Sequence, residues 1–281
     1  MAVASFLILI ASIVYFSMDR AEKLDRRGIG RVIGYIAMPI ASALAVCVNV
    51  IAKSGGLHTF FTTDYITSDE YLLSNFTIDG AFVAEVVICL LASLTVIIIS
   101  AVGCAAIAAY ERESAKQSFG TYDLETADRL LRMASFAAIG GLAAAAASIV
   151  FGTVSIVYAV GALTVNLGAL IITFILLTLF TLGMGLILAI VAIPVYTVVV
   201  GIRVIAELLP MLASMVIWGG AFCLLHLFAV LFGEFAVKRL SAAGILQGRN
   251  TVLYGILCAM PLVNVVCIFL LRSKIKAAAM A

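Results

Sequence analysis

Charge is what this sequence has least of. Asp, Glu, Lys and Arg make up 11% of its 281 residues and hydrophobic residues 65%, against about 25% charged and about 45–50% apolar in a soluble domain. The shortage is concentrated, because Ala134 to Ile202 is a run of 69 residues without one charged side chain. No water-soluble domain needs such a run, so the chain is read as an integral membrane protein. The apolar stretches are continuous, where barrel strands would alternate over about 10 residues, and this favours helices.

Other absences narrow the chemistry. There is no HExxH, no GxSxG beside a His, no Walker A or dinucleotide glycine motif, and no paired Asp arrangement in facing spans. Two histidines in the whole chain argue against a bis-histidine haem within one subunit. The six cysteines, Cys47, Cys89, Cys104, Cys223, Cys258 and Cys267, fall inside apolar runs without CxxC or other metal spacing and read as small core residues. The expectation is a protein that is not an enzyme, with no cofactor and no metal. A formal net charge of +2 gives no argument for a nucleic-acid partner. Met1 to Met18 is apolar but has no positive n-region and no A-x-A-like site, so it is expected to be a first span with its N-terminus outside.

What is present is a succession of apolar runs separated by charged connections. Arg20, Lys23, Arg26, Arg27 and Arg31 crowd one short connection, which the positive-inside rule places in the cytoplasm. Val32 to Ala52 is a second span containing Pro39 and Asn49. Residues 53–80, with Asp64, Asp69, Glu70 and Asp79 against a single Lys, form an external loop. That loop holds the sequon Asn75-Phe76-Thr77, and His58 near its acids. Ala81 to Ala109 is a third span, and residues 110–133 a cytoplasmic loop in which Asp123 caps an amphipathic helix.

The charge-free block poses the topological problem. At 1.5 Å per residue it would extend roughly 100 Å, about three crossings of a roughly 30 Å core. Only Gly161 to Gly168, with Thr164 and Asn166, offers a polar turn. Gly183-Met184-Gly185 reads as a kink in one long helix running on through Pro194. Met211 to Phe232 and Thr251 to Leu271 complete the spans, the latter with Pro261 and Asn264.

The fold expected is all-α, a polytopic transmembrane helix bundle of about seven spans in one integral membrane domain, 1–281, with eight spans the alternative. Seven spans place 13 Lys and Arg inside against 4 outside, with the 233–250 connection outside and the tail inside; eight give 12 against 5. A plasma-membrane location is expected.

Charges within spans cost about 2.5–3.5 kcal/mol on insertion scales, so each asks for a reason. Arg203 and Glu207, four apart ahead of Pro210, form the leading candidate polar site, either a gate at a broken helix or an interfacial pair. Glu85 lies about one turn inside the third span, and His226 stands alone in an apolar helix, where a hydrogen-bonded packing role is the usual one. Gly140, Ala144, Ser148 and Gly152 share one helical face and let another backbone approach closely, which suits helix packing, a membrane-protein partner or a homo-oligomer. Two functions follow as expectations: a permease or channel-type transport component, or a non-catalytic membrane subunit that anchors or assembles a larger complex.

Overall fold

The computed structural model describes residues 2–24, 29–53, 80–117, 123–180 and 184–280. Among them there are no strands, and the helices are α1 (Ala2–Arg20), α2 (Ile29–Lys53), α3 (Gly80–Gln117), α4 (Asp123–Phe180), α5 (Met184–Ala242), α6 (Arg249–Ala259) and α7 (Val263–Met280). Five of these contain stretches long and apolar enough to cross a membrane: Val3–Arg20, Ile29–Val48, Ala84–Glu113, Leu124–Gly161 and Met211–Ala242. An integral membrane protein built as a helix bundle is the architecture these elements define.

The chain divides into two compact units. The first comprises Met1–Val46, Cys89–Ser148 and Val216–Ala281, the second Cys47–Ile88 and Ile149–Met215. In the first unit, Tyr35, Ile107, Leu130, Leu131, Leu225, Phe228, Phe232 and Ile268 are fully buried in a single core. Glycines set its closest approaches. The Tyr15 ring of α1 lies on Gly34 of α2, and the Tyr35 ring of α2 lies on Gly103 of α3. Each glycine admits a ring where a Cβ has no room, so α1, α2 and α3 are joined in series. Ser42 and Ser93 share a hydrogen bond of 2.8 Å, which with the Tyr35–Gly103 contact runs α3 antiparallel to α2.

Helices α4 and α5 are also antiparallel in this unit, since Gly140 and Gly141 meet Leu225 while Ser148 meets Gly219. The small-residue face is therefore filled by α5 of the same chain, with Ala144 fully buried. In the second unit Gly152 faces Met215, and Val204, Leu208 and Met211 are buried. Many large side chains there are exposed, Ile156 at 65% and Ile190 at 69% among them.

Two sequence expectations need correction. The turn placed at Gly161 to Gly168 does not form, because α4 continues through it to Phe180. Glycine keeps both backbone hydrogen-bonding groups, and Thr164 returns its hydroxyl to the Val160 carbonyl at 2.7 Å, so nothing there interrupts the helix. The amphipathic helix expected from Asp123 forms the first turns of α4, which runs directly on into the charge-free block. Its apolar side is as expected, with Leu130, Leu131 and Met133 buried.

The second correction concerns Thr251 to Leu271, expected to be one span. It folds back on itself as the hairpin α6–α7. Lys274 lies 4.7 Å over the Tyr254 ring and Cys267 is within 3.6 Å of the Tyr254 carbonyl, contacts that a straight helix over 251–271 excludes. Eleven residues of α6 rise about 16 Å, roughly half of a 30 Å core. Both open ends lie together: Thr251 is 3.4 Å from Ser241 at the end of α5, and Arg272 is 3.4 Å from Asp128 at the start of α4. The 243–248 connection and the tail therefore share one end of the first unit, where the seven-span reading had separated them.

Candidate functional site

Proline chemistry makes the hairpin. Pro261 has no N–H to continue α6 and disfavours the helical conformation for the residue before it. Met260 accordingly is extended at φ −85°, ψ 125°. Leu262 then takes φ 66°, a left-handed conformation costing a non-glycine residue about 1–2 kcal/mol. The tip satisfies its own backbone: the Met260 N–H donates to Leu257 O, Val263 N–H to Pro261 O at 2.8 Å, and Asn264 N–H to Met260 O at 2.9 Å. Pro39, Pro194 and Pro210 leave their helices continuous, so the helix break expected at Pro210 is absent.

Just past the tip, Asn264 is 2% exposed and its side-chain nitrogen is 3.4 Å from His226 Nδ1 on α5. With the amide donating, Nδ1 accepts and the imidazole proton sits on Nε2. The His226 ring is stacked on Phe222, centroids 5.7 Å apart. Deeper in the hairpin, Cys258 and Cys267 face each other across the arms, sulfurs 3.3 Å apart, both buried. Gly233 of α5 gives Cys258 its place, for a Cβ there would stand 3.3 Å from the Cys258 Cβ and Sγ. Of the six cysteines read as core, Cys223 is exposed and the other five are buried. On the far side of α6, Val237, Val252, Gly255, Ile256 and Ala259 line an open groove of about 370 Å³ with Glu234, Lys238 and Thr251 at its polar edge.

The remaining nominated residues sit apart from this place. Glu85 lies in the second turn of α3, partly buried, within the second unit. Arg203 and Glu207 fall on the helical backbone of α5 in the same unit, and their side chains lie outside the described residues, as do those of Asn49, Asn166 and Pro210. Asn75 and His58 belong to 54–79, also outside them. Among the described residues no group of three His, Cys, Asp or Glu side chains is placed to hold a metal.

The most developed electrostatics were not anticipated. Asp19 receives Arg31 through both the Nε and the Nη2 groups, the latter at 3.0 Å, and the Tyr35 hydroxyl at 2.8 Å. Its side chain is 6% exposed. Arg129 donates to Glu111 at 2.6 Å, with the Glu111 side chain 2% exposed. Asp128 holds Arg132 at 2.5 Å as well as Arg272. All these pairs gather at the end where the hairpin opens. They tie α1 to α2, α3 to α4 and the tail to α4. The sequence presented these residues as markers of sidedness, and only an acid opposite a base across a short connection hinted at pairing.

Comparison with known proteins returns no matching family model, no matching curated protein and no matching solved structure.

Proposed function

We propose that this multi-pass membrane protein is a permease or channel-type transport component of the cytoplasmic membrane, with the α6–α7 hairpin as its working element. The observation that carries the reading is a hairpin whose first arm is about 16 Å long, about half the thickness of a roughly 30 Å core, with its broken tip beside the partly buried His226 and the buried Asn264. Discontinuous helices and non-helical backbone at membrane depth belong to pathways through proteins. No catalytic role enters the proposal.

The proposed topology has the N-terminus outside and the tail inside. The cations support it. Among the described residues of the first unit, Lys and Arg gather at the end where the hairpin opens, the pattern the positive-inside rule gives a cytoplasmic face.

The test is ion flux in reconstituted vesicles, monovalent cations, anions and protons being assayed separately. Asn264→Leu and His226→Leu are expected to abolish a flux present in the parent while the protein still elutes as a folded particle. Flux unaltered in both variants removes the hairpin as working element, and its absence for all three ion classes removes the channel reading. Charge-neutral replacements at Arg203, Glu207 and Glu85 extend the test to the second unit. For topology, Gln247→Cys and Ser273→Cys in a cysteine-free background should react with a membrane-impermeant maleimide from the same side. Reaction from opposite sides restores the crossing span.

A second reading, a non-catalytic subunit that anchors or assembles a complex, is favoured by α4 in the second unit, where Ile149, Val150, Ile156 and Val157 are all exposed. Loss of a co-purifying membrane protein on Ile156→Asn, with no flux in the parent, would decide for it.

A further inference from the structure

The six cysteines were read as inert packing, yet two of them are arranged for chemistry. Cys258 and Cys267 stand nine residues apart in sequence, on opposite arms of the hairpin, with their sulfurs 3.3 Å apart. The Cys267 thiol donates to the Tyr254 carbonyl at 3.6 Å, which leaves its lone pairs for the Cys258 S–H. Both side chains are enclosed, at 0% and 1% exposure. The turn that brings them together is held by three backbone hydrogen bonds of its own, so the thiols are neighbours through the fold and not through a passing side-chain rotamer.

We infer that Cys258 and Cys267 form a redox-active dithiol that closes to an intrachain disulfide and clamps the hairpin. The sulfurs need to approach by a little over 1 Å to reach the bonded distance of about 2.05 Å. A movement of that size lies within side-chain rotation of two facing cysteines. In the step, each thiol gives up one proton and one electron, the S–S bond forms, and a two-electron acceptor takes both electrons and both protons. The thiols lie among apolar helices, so the acceptor must be uncharged and lipid-soluble. Quinones, reduced to hydroquinones, are the class that fits. Closure ties Cys258 through Cys267 into one covalent ring, fixing the tip where Asn264 meets His226.

The sequence supplies its own assay. Cleavage after Arg249 and Arg272 releases the peptide 250–272, which contains Cys258, Cys267 and no other cysteine. The full chain in vesicles is treated with a membrane-permeant azodicarboxamide or a short-chain quinone. It is then denatured, alkylated, digested and weighed. The expected result is a peptide lighter by two hydrogens and carrying no alkyl group, returned by dithiothreitol to one carrying two, in protein that runs as a monomer without reductant. Cys89 and Cys104 are expected to remain fully alkylated. Two alkyl groups on 250–272 after both oxidants would overturn the inference, and so would a linkage found only between chains. A Cys267→Ser variant, which keeps the small polar volume, should leave Cys258 alkylated after the same treatment. This readout is independent of flux, so it stands or falls separately from the transport proposal.

Discussion

Replacing Gly103 by alanine puts a methyl group where the Tyr35 ring already lies. The ring has no room to yield. It is 0% exposed, its hydroxyl is tied to Asp19 at 2.8 Å, and the Tyr15 ring stands edge-on to it at 5.1 Å. The strain must then be relieved by separating α3 from α2, and overpacking of this kind costs about 1–3 kcal/mol. Alanine also regains about 1 kcal/mol of helix propensity relative to glycine, which could mask the loss. Gly255→Ala supplies the correction, because nothing lies within 4 Å of a Cβ at that position and the substitution carries the propensity gain alone. The difference between the two variants, about 1–3 kcal/mol, isolates the clash. Unfolding by sodium dodecyl sulfate in mixed micelles can be followed through Trp218, the single tryptophan and 5% exposed. Equal midpoints for the two variants would refute the ring-on-glycine packing. Absence of coupling between Gly103→Ala and Tyr35→Leu in a double-mutant cycle would refute it too.

Three further outcomes can be measured the same way. Asp19→Asn leaves the Arg31 guanidinium, 12% exposed, without its counter-charge and should cost about 3–5 kcal/mol, most of it recovered in the Asp19→Asn/Arg31→Gln double variant. Glu111→Gln, opposite Arg129, should fall in the same range of about 3–5 kcal/mol, read as a lowered unfolding midpoint. Asp128→Asn should cost under about 1 kcal/mol and lose its effect in high salt, because Arg132 is half exposed and Arg272 partly so.

The membrane class was legible because it depends on a property summed along the chain, the absence of charge from 134 to 202. Local patterns were legible as well, including the small-residue face of α4 and the apolar side of its first turns. Partnerships were not. His226 and Asn264 were noticed separately, one as a packing histidine and one as interhelical glue, and nothing in either neighbourhood announces that the two meet. The prolines explain why the hairpin was missed. A proline removes one hydrogen bond wherever it occurs, and neighbouring packing decides whether the helix continues through it, as at Pro39, or ends, as at Pro261. The polar turn expected at Gly161 to Gly168 failed for the complementary reason: glycine permits a break without demanding one. The ion pairs at the charged end were hidden by their location in connecting segments, where no periodicity relates Asp19 to Arg31 or Glu111 to Arg129.

The hairpin also bears on how such a chain is made. A crossing helix in its place would require Arg249, or the Arg272–Lys276 tail, to be carried through the hydrocarbon during synthesis. A hairpin whose arms begin and end at the same face asks for no such passage. With its tip bonded internally through Met260, Pro261 and Leu257, it can enter from the side on which it was translated, after α5 is in place. The last thirty or so residues would then be the part of the protein that assembles by docking onto a finished bundle, leaving its final shape to Gly233, His226 and Asp128, which receive it.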